Sequence, residues 1–302
     1  MPNNDVDKII KEFKIGQNYG LDLELEKQCL RDEDWKFGGD TILSCIAEIP
    51  EEERMQNLPD GEVQRGKEDM FDCATRGPIN ILETKFTWLL QNKKLDFEQE
   101  YWLRDRGYVD NERIKFSDAF IAILSGTTRN GNSMKAPLDA IRKKGLIPKK
   151  MLPLEEWMTW GDYHNPERIT QKMRDLGLEF SERFNINYQI VYKEHFEELY
   201  KKDLLDIGGY AWPIPVNGIY PRTGKLPNHV FVGIKNPRYL VFDNYIDSVD
   251  GDFIKKLAPN YDLMDYGYRL LINFEKKPDF WGFLRNFFKK YRINLFQKDG
   301  TV

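Results

Sequence analysis

The chain has 302 residues, 41% of them hydrophobic and 14% aromatic, enough apolar material for a packed core and against intrinsic disorder. Its 45 Lys and Arg against 49 Asp and Glu leave a formal charge of −4, so no basic excess points to nucleic acid. No apolar run approaches the roughly 18 residues of a membrane span, no signal-peptide pattern opens the chain, and HExxH, CxxC and EF-hand spacings are missing. No transmembrane segment, metal or cofactor is therefore expected.

In chain order, Val6, Ile9, Ile10 and Phe13 predict a short amphipathic helix over 4–14. A charged stretch with one apolar island, TILSCIAEIP, follows, and residues 1–58 read as an N-terminal extension packed on the main body. A strong helix begins near Cys73 and runs to about Leu90. FSDAFIAILSG (116–126) is a second, ended by Gly126, and SMKAPLDAIRKKGLIP (133–148) a third, stopped by Gly145 and Pro148. From about residue 187 the short runs INYQIVY, VFVGI, YLVFD and YGYRLLINF alternate with turn residues and predict strands. Helices first and antiparallel strands afterwards imply an α+β protein with segregated halves.

The body is expected over 59–275, with a separate tail at 276–302. In PDFWGFLRNFFKKYRINLF the residues Phe280, Phe283, Leu284, Phe287, Phe288 and Tyr291 make an apolar stripe backed by Arg and Lys. Such a helix docks on its own domain, on a protein partner or on a membrane surface, and its pattern does not choose among them.

Cys29, Cys45 and Cys73 are odd in number and widely spaced, which argues against a disulfide framework and fits a reducing compartment. A cytoplasmic or virion-associated location is expected. Cys73 differs from the other two in standing at a helix start, where unpaired backbone N–H groups favour thiolate. A lone cysteine is otherwise more often a buried thiol.

His195 lies in a charged helix-like stretch and His164 in a loop, whereas His229 opens the strand VFVGI. If KNPR (235–238) is the hairpin loop to YLVFDN, Ile234 faces Tyr239 and His229 faces Asn244. An Asn amide there would orient the imidazole and fix its tautomer, completing the order Cys, His, Asn. By strand alternation Asp243 then points to the other face; a Cys–His–Asp site would suit a transglutaminase-like or amidase-type reaction instead.

These features resemble the papain-like cysteine peptidases over residues 59–274. The likeness rests on the Cys-led helix, the segment FSDAFIAILSGTTRNGNSMKAPLDAIRKKGLIP, NHVFVGI and YLVFDNY. It is that of a remote member, nearest the papain-like proteins of phage and metagenomic genomes. The resemblance implies a helical half and an antiparallel β half with the cleft between them. Cys73 would be the nucleophile, His229 the base and acid, and Asn244 the orienting residue. Gln64 would help stabilise the oxyanion, although it lies nine residues before Cys73 where six are usual. Asn130, Gly131, Asn132 and Ser133 would line the substrate groove. A peptide or protein would be the substrate, and residues 1–58 would be a candidate pro-segment. Ala74 replaces the usual aromatic residue, Tyr245 is the expected shield of the histidine, and Asp72 beside the thiol opposes thiolate formation. The alternative is the same fold kept as an inactive binding or structural module of a larger assembly, such as a virion.

Overall fold

The computed structural model describes residues 20–29, 31, 34–39, 47–235, 240–246 and 252–274. The helix expected over 4–14, Cys45 and the tail helix with its expected partner role lie outside them.

Helix α1 (Leu23–Cys29) starts on Asp22, whose carboxylate accepts from the N–H groups of Glu24 and Leu25 at 3.1 and 3.0 Å. Helix α2 (Glu51–Asn57) follows Pro50. Helix α3 (Cys73–Gln91) is buried along its whole length from Cys73 to Leu90, and its polar side chains Arg76, Asn80, Glu83 and Lys85 make internal bonds instead of bonds to water. Helix α4 (Phe97–Arg106) opens with a capping box of Asp96 and Gln99 and stops at left-handed Gly107. A small hairpin, β1 (Val109–Asp110) and β2 (Arg113–Ile114), leads to α5 (Asp118–Leu124), capped by Ser117. Helix α6 (Lys135–Lys144) ends at Gly145, and the expected helices at 116–126 and 133–148 are thus present in shortened form. The short α7 (Trp160–Tyr163) and the longer α8 (Gln171–Arg183) complete the helical half. Its centre is aromatic: the Phe86 ring meets Phe116, Phe180 and Phe184 at centroid distances of 5.7, 5.6 and 5.2 Å.

The second half is a sheet of β3 (Asn185–Tyr192), β4 (Leu205–Gly209), β5 (Ile219–Tyr220), β6 (His229–Lys235), β7 (Leu240–Phe242), β8 (Ile254–Leu257) and β9 (Leu263–Asn273). Helix α9 (Phe196–Tyr200) sits between β3 and β4 in the chain. The spatial order is β3-β9-β4-β6-β7-β8-β5, antiparallel except for the β5–β8 pair. Helix α3 packs against β6, so the N-terminal end of the one meets the first residues of the other. No helix among the described residues is long and apolar enough to cross a membrane.

Residues 47–58 are knitted into this body. The buried Arg54 guanidinium donates to the carbonyls of Ile49, Tyr200 and Ile234 at 3.0, 2.7 and 2.8 Å. The buried Lys85 ammonium donates to the Ala47 carbonyl at 2.8 Å and to Asp203 at 2.7 Å. Before them, residues 20–22 lie along the face where α3 begins, whereas residues 35–37 run beside β3.

Candidate active site

Cys73 is the first residue of α3, and the turn that aims it is strained. Phe71 has φ 53°, a left-handed conformation costly for a bulky residue, and its N–H is held by Asp69 Oδ1 at 2.8 Å. Asp72 does not cap the helix through its side chain. Its carboxylate turns away, accepting from Arg76 Nε at 3.0 Å and Tyr163 Oη at 2.6 Å. The acidic neighbour is therefore paired with a buried cation. The Cys73 thiol is nevertheless held well above its ordinary range, first by burial and then by Asp72, Asp243 and Asp69, with the Val230 N–H donating to the sulfur against them. That bond places the sulfur beside the residue after His229.

The His229 ring is buried, and its Nε2 lies 2.6 Å from Asp243 Oδ1. The expected pairing of His229 with Asn244 does not form. Strands β6 and β7 pair Val232 with Phe242 and Gly233 with Val241, then shift register before Lys235 meets Leu240. The irregularity around Ile234 moves the register by one residue, and a one-residue slip exchanges the two faces of a strand. Carried onward, it sets Tyr245 across from His229 and puts Asp243 on the same face. Tyr245 does stand against the imidazole, ring centroids 5.2 Å apart, as expected of a shield. Asn244 points elsewhere: its Oδ1 accepts from Asn80 at 2.7 Å and its Nδ2 donates to the Glu62 carbonyl at 2.8 Å.

Asp243 is fully engaged. Besides His229 it accepts from the Asn244 N–H at 2.8 Å, Trp212 Nε1 at 2.8 Å and Lys255 Nζ at 3.1 Å. Burial works to raise its carboxyl, but the charges and hydrogen bonds of His229 and Lys255 outweigh this and hold it at about 2. An ionised carboxylate only accepts, so Nε2 donates and Nδ1 is the basic nitrogen of the neutral ring. Trp212 closes the other side, edge-on to His229 at 5.9 Å and under the Lys255 ammonium at 5.1 Å. Neither Trp212 nor Lys255 carries a local signal; the run Ile254–Leu257 does not tell which lysine turns inward.

Gln64 is buried next to these groups. Its amide nitrogen donates to Tyr245 Oη at 2.8 Å and to Asp69 Oδ1 at 3.2 Å, and the Tyr245 hydroxyl donates to Asp69. Its donors are thus spent on Tyr245 and Asp69. His164 packs behind the same turn, Nε2 at 2.9 Å from the Met70 carbonyl, whereas His195 lies away from the site against Phe37.

The loop Asn130–Ser133 faces a piece of its own chain. Asn132 donates to the Gly20 carbonyl and accepts from the Asp22 N–H, both at 2.9 Å, while the Leu21 N–H reaches the Asn228 carbonyl at 3.4 Å. Gly20 covers the cysteine: a Cβ there would stand 3.0 Å from Cys73 Sγ. Gly131 (φ 89°) permits this approach, since a Cβ on it would stand 2.1 Å from the Gly20 backbone. Behind the site, Glu62, Arg76, Asn80, Glu83, Asp118 and Asn244 surround a polar cavity of about 280 Å³.

Comparison with solved structures identifies the architecture. The chain superposes on xylellain, a cysteine protease from Xylella fastidiosa, with a TM-score of 0.52 at 12% identity, covering 86% of this chain and 97% of that one. The fold is papain-like. The proform of the ragweed pollen cysteine protease Amb a 11 gives a TM-score of 0.47 at 14% identity over 90% of this chain and 87% of that one. No protein-family model and no curated protein matches the sequence. The papain-like α+β arrangement, helical half first and antiparallel sheet second, agrees with the sequence reading.

Proposed function

We propose that this chain is a cysteine peptidase whose N-terminal segment holds it latent. The observation that carries the reading is the 2.6 Å bond from His229 Nε2 to Asp243, one residue before the Val230 N–H that meets the Cys73 sulfur. In this reading His229 Nδ1 takes the thiol proton and Cys73 Sγ attacks the peptide carbonyl. His229 then protonates the leaving amine, and a thioester remains. Water, deprotonated by His229, hydrolyses it and restores the thiol. Asp243 orients the ring and stabilises imidazolium, the part first given to Asn244. The Cys73 N–H, at the open end of α3, is a donor for the oxyanion. Residues 20–22 must leave first, because they cover the sulfur and use the groove backbone at Asn132 and Asn228.

The test is labelling with a peptidyl epoxide, read by intact mass, on the full chain before and after limited proteolysis of the N-terminal segment. After nicking, Cys73 is expected to react at least about tenfold faster than Cys29 or Cys45. Equal reactivity removes the basis of the proposal, as does proteolysis that persists in Cys73→Ala.

The Asp243 pairing also favours a second reading, acyl transfer of the transglutaminase or amidase type. Both forms start from the same thioester; the amidase passes the acyl group to water, as a peptidase does, and the transglutaminase passes it to an amine. Release of product only when a primary amine is supplied would select the transglutaminase form over hydrolysis.

A further inference from the structure

The segment that covers Cys73 engages a set of hydrogen-bond donors that the proposed reaction does not use. Four of them converge on one carboxylate, that of Glu26: Met134 N–H at 2.6 Å, Lys135 N–H at 3.3 Å, Tyr268 Oη at 2.8 Å and Tyr266 Oη at 3.1 Å. The two amides are at the N-terminus of α6, a ten-residue helix, where the backbone favours negative charge. The two hydroxyls come from β9. Glu26 itself belongs to the segment that covers Cys73, and it is 1% exposed.

The place of these donors in the groove follows from the chain around them. Met134 comes directly after Asn132 and Ser133, the loop whose backbone pairs with residues 20–22. Leu21 Cδ2 and Met264 Sδ both crowd Gly208, standing 3.0 Å and 2.4 Å from where a side chain on it would begin. Met264, Tyr266 and Tyr268 alternate along one strand and so share one face. The pocket that receives Leu21 therefore continues into the donors that receive Glu26.

We propose that Met134 N–H, Lys135 N–H, Tyr266 and Tyr268 form an acid-selective subsite of the cleft, which takes the side-chain carboxylate of a bound peptide once the N-terminal segment has left. The inference rests on the latent-peptidase reading and deepens it by naming an acidic peptide as the ligand. The selectivity comes from the donors, which favour the charged form against the burial that pushes the Glu26 carboxyl up. A glutamine in the same place would turn its own NH₂ toward donors, whereas a carboxylate accepts from all four. The Asp206 carboxyl nearby is pushed well up, first by burial and then by the charge of Glu26. The Lys135 ammonium, now on the Cys29 carbonyl at 2.8 Å and Asp34 at 2.6 Å, is released when the segment departs and adds a positive charge nearby.

The experiment uses the full chain carrying Cys73→Ala, with residues 41–46 replaced by the recognition sequence of a site-specific protease and then cut. A fluorescent peptide of residues 20–38 is bound and displaced, in one series, by the same peptide with or without Glu26→Gln. In a second series the competitors are acetyl-pentapeptide amide pools with Glu or Gln fixed at each position in turn. At least one Glu pool is expected to displace the label at a concentration about tenfold or more below its Gln counterpart, the ratio for a hydrogen-bonded charge. Tyr266→Phe with Tyr268→Phe should close most of that gap while the melting temperature stays near that of the parent. If no pool separates Glu from Gln, the proposal falls, even where the chain's own segment does discriminate, because the donors then serve only as its latch. Glu selectivity that the double Tyr→Phe variant leaves intact overturns the assignment as well. Catalysis plays no part in these measurements. A wild-type chain that fails epoxide labelling while the acid preference persists would remove the peptidase reading and leave the subsite.

Discussion

Asp243, and not its neighbour Asn244, bonds His229, with Oδ1 2.6 Å from Nε2. The two side chains leave the strand on opposite faces, and only one faces the imidazole. Asp243→Asn should therefore lower epoxide labelling and any peptide turnover of the nicked chain by about a hundredfold or more, since the ring loses its tautomer and its counter-charge. It also leaves the Lys255 ammonium buried without its carboxylate, at a cost of about 3–5 kcal/mol. Asn244→Ala breaks the bonds to Asn80 and Glu62 and should cost about 1–3 kcal/mol of stability, with labelling changed only a few-fold. Urea midpoints beside labelling rates separate the two effects. A larger loss of labelling in Asn244→Ala than in Asp243→Asn would reverse the assignment.

Gly131 sets how closely the N-terminal segment covers Cys73. Gly131→Ala introduces a Cβ 2.1 Å from the Gly20 backbone, with φ 89° adding local strain of about 1–2 kcal/mol. Residues 20–22 cannot keep their bonds to Asn132, and iodoacetamide should modify Cys73 about tenfold faster than in the parent chain. The control is Gly126→Ala, which bears the same kind of strain (φ 78°) in open space and should leave the rate unchanged. In the closed chain the raised thiol pKa makes alkylation slow at neutral pH and faster only well into the alkaline range. A parent chain that alkylates rapidly at pH 7 would show that the segment does not protect the sulfur.

The fold was legible because its signals are periodic. The long helix-forming run from Cys73, bounded by its loop and rich in Ile, Leu, Phe and Trp, predicts a core helix, and alternating runs after residue 187 predict strands, which is what packing requires of each. The placement of Cys73 and His229 in the fold was legible, the partner of the histidine only to within one residue. Cys73 leads a helix and His229 opens a strand as their spacing has it, and Tyr245 stands against the imidazole as the resemblance implies, but the partner of His229 depends on a bulge around Ile234 that no residue type announces. Strand parity turns that single irregularity into the wrong face for Asn244. Lys255 and Trp212 were invisible for a different reason, since they reach Asp243 only through tertiary packing of β8 and the segment after β4. The cover over Cys73 was equally hidden, because three ordinary residues, Gly20, Leu21 and Asp22, hold the groove through backbone atoms.

Arg54 ties residues 47–58 to the body of the fold, a tie that the segment covering Cys73 does not share. Its three carbonyl partners come from the α2 region, the end of α9 and β6. Arg54→Ala leaves those acceptors buried and should destabilise the chain by about 3 kcal/mol or more, read as a fall in the urea midpoint. The exposed pair Glu24–Lys27 at 2.8 Å contributes little, and Glu24→Ala should stay within about 0.5 kcal/mol of the parent. Limited proteolysis should accordingly cut before Ala47 and spare residues 47–58. Cleavage within 51–57 as fast as cleavage upstream would make the whole of 1–58 a separable extension instead.

Glu83 gives the protein a pH dependence of the opposite sign to that of Asp243. It is buried beside the polar cavity, with an oxygen 2.6 Å from the Phe116 N–H. Burial pushes its carboxyl up to about 8, helped by the charge of Asp118, while the Phe116 bond works against the shift. The folded chain therefore keeps a proton that the unfolded chain releases near 4.5. Stability is undiminished below that pH, falls as pH rises toward 8, and levels off above it. By linkage the loss at pH 7 is about 3 kcal/mol. Glu83→Gln retains an acceptor for Phe116 and has no proton to lose. Urea midpoints at pH 4.5, 7 and 8.5 should show the variant near the parent in acid, about 3 kcal/mol more stable at neutrality and about 4–5 kcal/mol more stable at 8.5. A difference that does not change with pH would mean that Glu83 is already ionised in the folded chain, compensated by Arg76 and Lys149 across the cavity.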